Sequence, residues 1–78
     1  MPTLIYLYKR KYRKIEEMLK NIPSNFVVMQ EQVNSAKAYS LHISCVPSII
    51  VLDSKGNVRI RRQGLALVED YLYSLGND

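Results

Sequence analysis

The chain of 78 residues holds one cysteine, Cys45, and one histidine, His42. One thiol cannot close an internal disulfide, so no covalent framework supports so short a fold. Structural zinc takes four ligands, and Cys45 and His42 are the only soft ones available. No metal and no cofactor is therefore expected. Glycine and proline number three each, far from fibrous or low-complexity composition. No stretch nears the roughly 20 apolar residues that span a bilayer, so no membrane association is expected. The apolar start, Leu4 to Tyr8, is shorter than a signal-peptide core and runs into a basic segment. The expectation is a chain that begins near Met1 and works in the cytoplasm. No glycine-rich phosphate loop occurs. Asp53 and Glu69 stand apart from other candidate acids and bases, so paired-carboxylate chemistry has no carrier.

What is present is globular. Apolar residues make up 47 % of the chain, which allows one modest core and one domain over residues 1–78. Eleven basic side chains against seven acidic ones give a formal charge of +4. That balance permits attraction to acidic partners or nucleic acid without requiring either.

Hydrophobic periodicity orders the chain as β-α-β-α-β-β-α. Thr3 to Tyr8 is continuously apolar and β-prone, as in a strand covered on both faces. Tyr12, Ile15, Met18, Leu19 and Ile22 fall at helical steps of three and four, and Pro23 stops that helix near Asn21. Asn25 to Gln30, with Phe-Val-Val-Met, reads as a second strand. Gln32 to Leu41 reads as a short, more polar helix, and His42 to Val46 as a connector into Pro47. Ser48 to Leu52 is a buried strand, and Asp53 to Asn57 a hairpin turn in which Gly56 takes positive φ. Val58 to Arg62 alternates like a half-exposed edge strand, whose arginines discourage stray pairing. Gly64 breaks the chain. Leu65, Val68, Leu72 and Leu75 form the stripe of a last helix ending at Gly76, with Tyr71 beside it. A β-α-β start followed by a hairpin implies a mixed four-stranded sheet flanked by helices.

From Leu41 to Val58, through Cys45-Val46-Pro47-Ser48 and the Lys55-Gly56 hairpin to Gly64, the sequence resembles the second half of the thioredoxin and glutaredoxin superfamily. The resemblance extends in element order to nearly the whole chain and implies an α/β, thioredoxin-like fold. It also implies a cis bond between Val46 and Pro47. In that family the residue before this proline offers backbone groups to an extended peptide, so Val46 and Pro47 take that assignment. The family's Cys-x-x-Cys stands where the first strand passes into the first helix. Here Lys9-Arg10-Lys11-Tyr12 falls at that place, across a connection shortened by a few residues. No cysteine occurs before Cys45, so dithiol exchange by the family mechanism has no attacking thiol at that place.

Three functions compete. The favoured one is a non-catalytic binding module that holds a protein or peptide partner with Val46, Pro47, Lys9, Arg10, Lys11 and Tyr12. The second is a thiol-redox protein acting through Cys45 alone. Against it, free cysteine is among the most buried residue types, and Cys45 should point away from the side of Val46. The third is a weak nucleic-acid or anion binder through Lys9 to Lys14, where five of six residues are basic and Tyr12 offers a stacking face. Arg59, Arg61 and Arg62 are candidates to extend that patch. His42 reads as a loop residue. The six tyrosines read as core and boundary residues, Tyr12 included. A monomer or a weak dimer through the Val58 to Arg62 edge is expected.

Overall fold

The structure, a computed structural model, describes residues 1–34 and 46–76. Cys45, His42 and most of the helix expected from Gln32 to Leu41 lie outside these residues. Four strands and two helices are described: β1 Thr3–Tyr8, α1 Arg13–Leu19, β2 Val27–Gln32, β3 Ser48–Leu52, β4 Val58–Gln63 and α2 Leu65–Gly76. The strands form one mixed sheet in the order β2-β1-β3-β4. β1 pairs parallel with β2 and antiparallel with β3, and β3 pairs antiparallel with β4.

The unbroken apolar run of β1 follows from its central place. Leu4 and Tyr6 face one side of the sheet and join Ile49 and Val51 of β3, Ile15 and Leu19 of α1, and Val68 and Leu72 of α2 in the main core. Ile5 and Leu7 face the other side and form a smaller cluster with Ile50. A strand with both faces buried reads as a near-continuous apolar run.

Several boundaries differ from the sequence expectation; β4, for one, runs to Gln63. α1 ends at Leu19, because the N–H groups of Lys20 and Asn21 reach back only three residues, to Glu17 and Met18, and tighten the last turn. β2 begins and ends two residues late. Its register is set by β1, with Thr3 opposite Val27 and Tyr8 opposite Gln32. The Val27 N–H donates to Pro2 O at 2.9 Å, and the Val33 N–H to Tyr8 O at 2.9 Å. Gln32 therefore closes a strand instead of opening a helix. Tyr12 does not belong to the buried stripe of α1. It is the N-cap, with extended backbone (φ −103°, ψ 121°), and the residue is 37 % exposed.

The hairpin between β3 and β4 is built by Asp53. Its carboxylate accepts the backbone N–H groups of Lys55 and Asn57, both at 2.9 Å. The Asn57 bond foremost holds this carboxyl below the usual carboxylate range. Gly56 sits at φ +86°, a conformation that costs glycine nothing. A register shift between Val51 and Leu52 follows: Val51 faces Ile60 and Leu52 faces Val58, leaving Arg59 as the bulged residue.

β4 is an edge, as its alternation implies. Gly64, at φ +102°, turns the chain from β4 into α2. Its carbonyl accepts the Val68 N–H at 3.0 Å, which starts the helix, and its N–H donates to Pro47 O at 2.9 Å. Lys14 and Glu69, 3.1 Å apart, link α1 to α2 at the surface. None of the helices among the described residues is long and apolar enough to cross a membrane.

Candidate functional site

Antiparallel pairing of β1 with β3 sets Leu7 opposite Ser48. The residues that leave β1 must therefore meet those that enter β3. This places Lys9, Arg10 and Tyr12 beside Val46 and Pro47, and the five line one open groove of about 450 Å³. Residues more than thirty positions apart are thus brought together by strand pairing alone. Pro47 is buried at the groove floor, and its bond to Val46 is cis. The Gly64 N–H holds the Pro47 carbonyl from below, on the side of β4. Val46 (36 % exposed) and Tyr12 (37 %) offer apolar surface to the opening.

The loop from Lys9 to Tyr12 is anchored from beneath by aromatic rings. Tyr6 is completely buried, and its hydroxyl accepts the Tyr12 backbone N–H at 3.4 Å, a long bond. Burial raises the Tyr6 phenol above its ordinary pKa, and Glu16 adds to the rise, while the Tyr12 N–H opposes it. The group stays a neutral phenol throughout the physiological range. Two residues on, Tyr8 lies on the same face of the strand, and the two rings stack with centroids 5.2 Å apart. Lys11 Nζ sits 5.5 Å from the centre of the Tyr8 ring and 3.6 Å from Glu16 Oε1.

Of the six partner-binding residues expected from sequence, five thus share the groove and one does not. Lys11 turns to Tyr8 and Glu16 instead, where its charge is shared with a π face and a carboxylate. It lines a second surface depression with Glu16, Leu19, Lys20, Val28 and Gln30. The wider basic run is likewise split, since Lys14 pairs with Glu69 on α2. Lys9 and Arg10 have no ion pair or hydrogen bond among the described residues. Arg62 does not extend the patch. Its guanidinium lies 5.9 Å from the centre of the Tyr71 ring and ties β4 to α2. Arg59 and Arg61 are not among the groove residues either. Among the described residues, no three His, Cys, Asp or Glu side chains cluster as metal ligands.

Sequence reasoning did not foresee Tyr6 and Tyr8 as the support of the loop. Their spacing of two on a β-strand places both on one face, and that was the available signal. Nor did it foresee the Gly64 bond to Pro47, which depends on the β3–β4 register.

Several solved structures are similar to this one. A disulphide isomerase from Xylella fastidiosa Temecula1 superposes with a TM-score of 0.61 at 20 % identity, over 94 % of this chain and 76 % of its own. Chloroplastic thioredoxin z gives 0.61 at 13 % identity, over 100 % and 80 %. The chain has a thioredoxin-like fold. A malarial protein matches over 100 % of this chain and 99 % of its own, with a TM-score of 0.68 and 13 % identity. At such identities the likeness is one of fold. No family model matches the sequence, and neither does any curated protein. Within this thioredoxin-like fold, the groove joins the loop after the first strand to the proline before the third.

Proposed function

We propose that this thioredoxin-like domain is a protein-binding module that holds an extended peptide segment in the groove and performs no dithiol exchange. One observation carries the reading: Lys9, Arg10, Tyr12, Val46 and Pro47 line a single open groove of about 450 Å³. Its apolar surface, Tyr12, Val46 and Pro47, accommodates side chains of a partner. By resemblance to the superfamily, the backbone at Val46 is where a peptide would add its own hydrogen bonds, in the manner of an added strand. Against exchange stands the thiol count. Cycling an internal disulfide takes two cysteines, and these 78 residues contain Cys45 alone.

Two measurements test this. In an insulin-disulfide reduction assay with dithiothreitol, the chain should add nothing to the reagent alone, and Cys45→Ser should change nothing. Turnover that Cys45→Ser abolishes would establish thiol chemistry and remove the reading. In affinity capture from the native host, a protein partner held by the wild type and by Cys45→Ser should be lost with Val46→Asp. Circular dichroism checks that the last variant keeps its fold. A partner retained by Val46→Asp would show that binding lies elsewhere on the surface.

A further inference from the structure

The groove is asymmetric in charge. Among the described residues, Lys9 and Arg10 line it and no acidic side chain does. The carboxylate nearest in sequence is engaged: Glu16 faces Lys11 at 3.6 Å. Farther along, Glu69 faces Lys14 at 3.1 Å. The two neighbouring lysines thus each face a carboxylate, while the two cations at the groove keep their charge free of any partner among the described residues. Beside them lie Tyr12, Val46 and Pro47, which are apolar.

We infer that the groove selects an acidic segment: an extended peptide that sets an aspartate or glutamate carboxylate between Lys9 and Arg10 and an apolar side chain against Tyr12 and Val46. The inference rests on the peptide-binding reading above and names the chemistry of its ligand. Complementary charge steers such a peptide to the site and repels a basic one. Arginine also suits a carboxylate geometrically, because its planar fork bonds both oxygens at once. A peptide is favoured over nucleic acid by the layout of the basic run. A backbone of phosphates is tracked by a row of cations, and here Lys11 and Lys14 are drawn off to Glu16 and Glu69. What remains in the groove is a pair of charges next to an apolar wall.

The test uses the full 78-residue chain and a phage-displayed library of random octapeptides, followed by fluorescence anisotropy on the recovered peptides. Recovered sequences should be enriched in aspartate and glutamate over the input library. Exposed ion pairs are individually weak, so Lys9→Gln/Arg10→Gln should lower their affinity by about tenfold in all. Raising the salt should lower it in the wild type more than in that variant. Lys9→Glu/Arg10→Glu should shift the recovered sequences to lysine and arginine. Both positions are exposed, so these variants fold. Neutral peptides that ignore Lys9→Gln/Arg10→Gln but are lost with Val46→Asp would overturn the acidic selection and leave the peptide groove standing. Peptides indifferent to Val46→Asp and Tyr12→Ala would bring down both. A twenty-nucleotide oligo-dT that binds more tightly than any recovered peptide, and is lost in the same double variant, would overturn the inference in favour of nucleic acid.

Discussion

Replacing Gly64 by alanine separates a backbone requirement from a packing one. Gly64 has φ +102°, where an L-residue is strained by contacts with its own peptide groups. A β-carbon there would meet nothing within 4 Å, so no neighbouring atom resists it. The whole cost is therefore conformational. Holding a non-glycine residue in such a region costs on the order of 1–3 kcal/mol. Alanine returns about 0.4–1 kcal/mol by restricting the unfolded chain. The expected net loss is about 1–2 kcal/mol. A domain of this size has roughly 4–12 kcal/mol in hand, so the loss is a sizeable fraction. It corresponds to a fall in Tm of roughly 5–15 °C. Urea unfolding followed by far-ultraviolet circular dichroism measures it, with an unchanged slope expected. Gly76→Ala is the internal control. That glycine has no positive φ, and its β-carbon would lie 3.6 Å from the Asn21 carbonyl, an ordinary contact. It should be neutral or slightly stabilising. If Gly64→Ala proved as stable as the wild type, the backbone at residue 64 would not be as described, and the placing of Pro47 through the Gly64 N–H would fall with it.

Two further outcomes follow from burial. Leu72, 1 % exposed in the main core, should cost about 2–4 kcal/mol as Leu72→Ala. Leu67→Ala, on the 53 % exposed face of the same helix, should stay within about 0.5 kcal/mol; equal effects in urea unfolding would contradict the orientation of α2. The alkaline limb of stability should report Tyr6. Its folded pKa is raised above the ordinary tyrosine value of 10.0, by burial first. The folded state thus holds this proton more tightly than the unfolded chain does. Its contribution is intact below pH 10 and is lost as pH rises through the folded value. Tyr71 is raised by burial as well, with Arg62 opposing. Stability from urea midpoints should therefore decline above about pH 10, less steeply in Tyr6→Phe. An unchanged slope in that variant would refute the buried phenol.

How much of the site was legible beforehand depended on where its members lie. Val46 and Pro47 follow from the superfamily resemblance of one local stretch, Leu41 to Gly64. Lys9, Arg10 and Tyr12 are reached only by aligning the chain with the superfamily's order of elements. Tyr12 was then misplaced on the buried stripe. Its step of three to Ile15 fits a helix, but the helix starts one residue later, and periodicity carries no information about the residue at a helix edge. Lys11 takes its place beside them from the same alignment with the superfamily's Cys-x-x-Cys position. Its exclusion from the groove came from two side chains, Tyr8 and Glu16, that no one-dimensional pattern assigns to it.

The sequence by itself determined the kind and order of the six elements among the described residues. Unbroken apolar runs specify strands buried on both faces, alternation specifies an edge, and steps of three and four specify helix faces. These are short-range consequences of side-chain direction, so they survive without knowledge of the fold. The single cysteine likewise settled that no internal disulfide forms. Tertiary structure alone decided which distant residues meet. The antiparallel register of β1 and β3, with Leu7 opposite Ser48, brings Lys9 and Arg10 to Val46 and Pro47. Among the described residues those two cations have no partner, while Lys11 and Lys14 find carboxylates. Pairing of that kind depends on three-dimensional proximity, which hydrophobic burial sets through the whole core and which no stretch of neighbouring residues encodes.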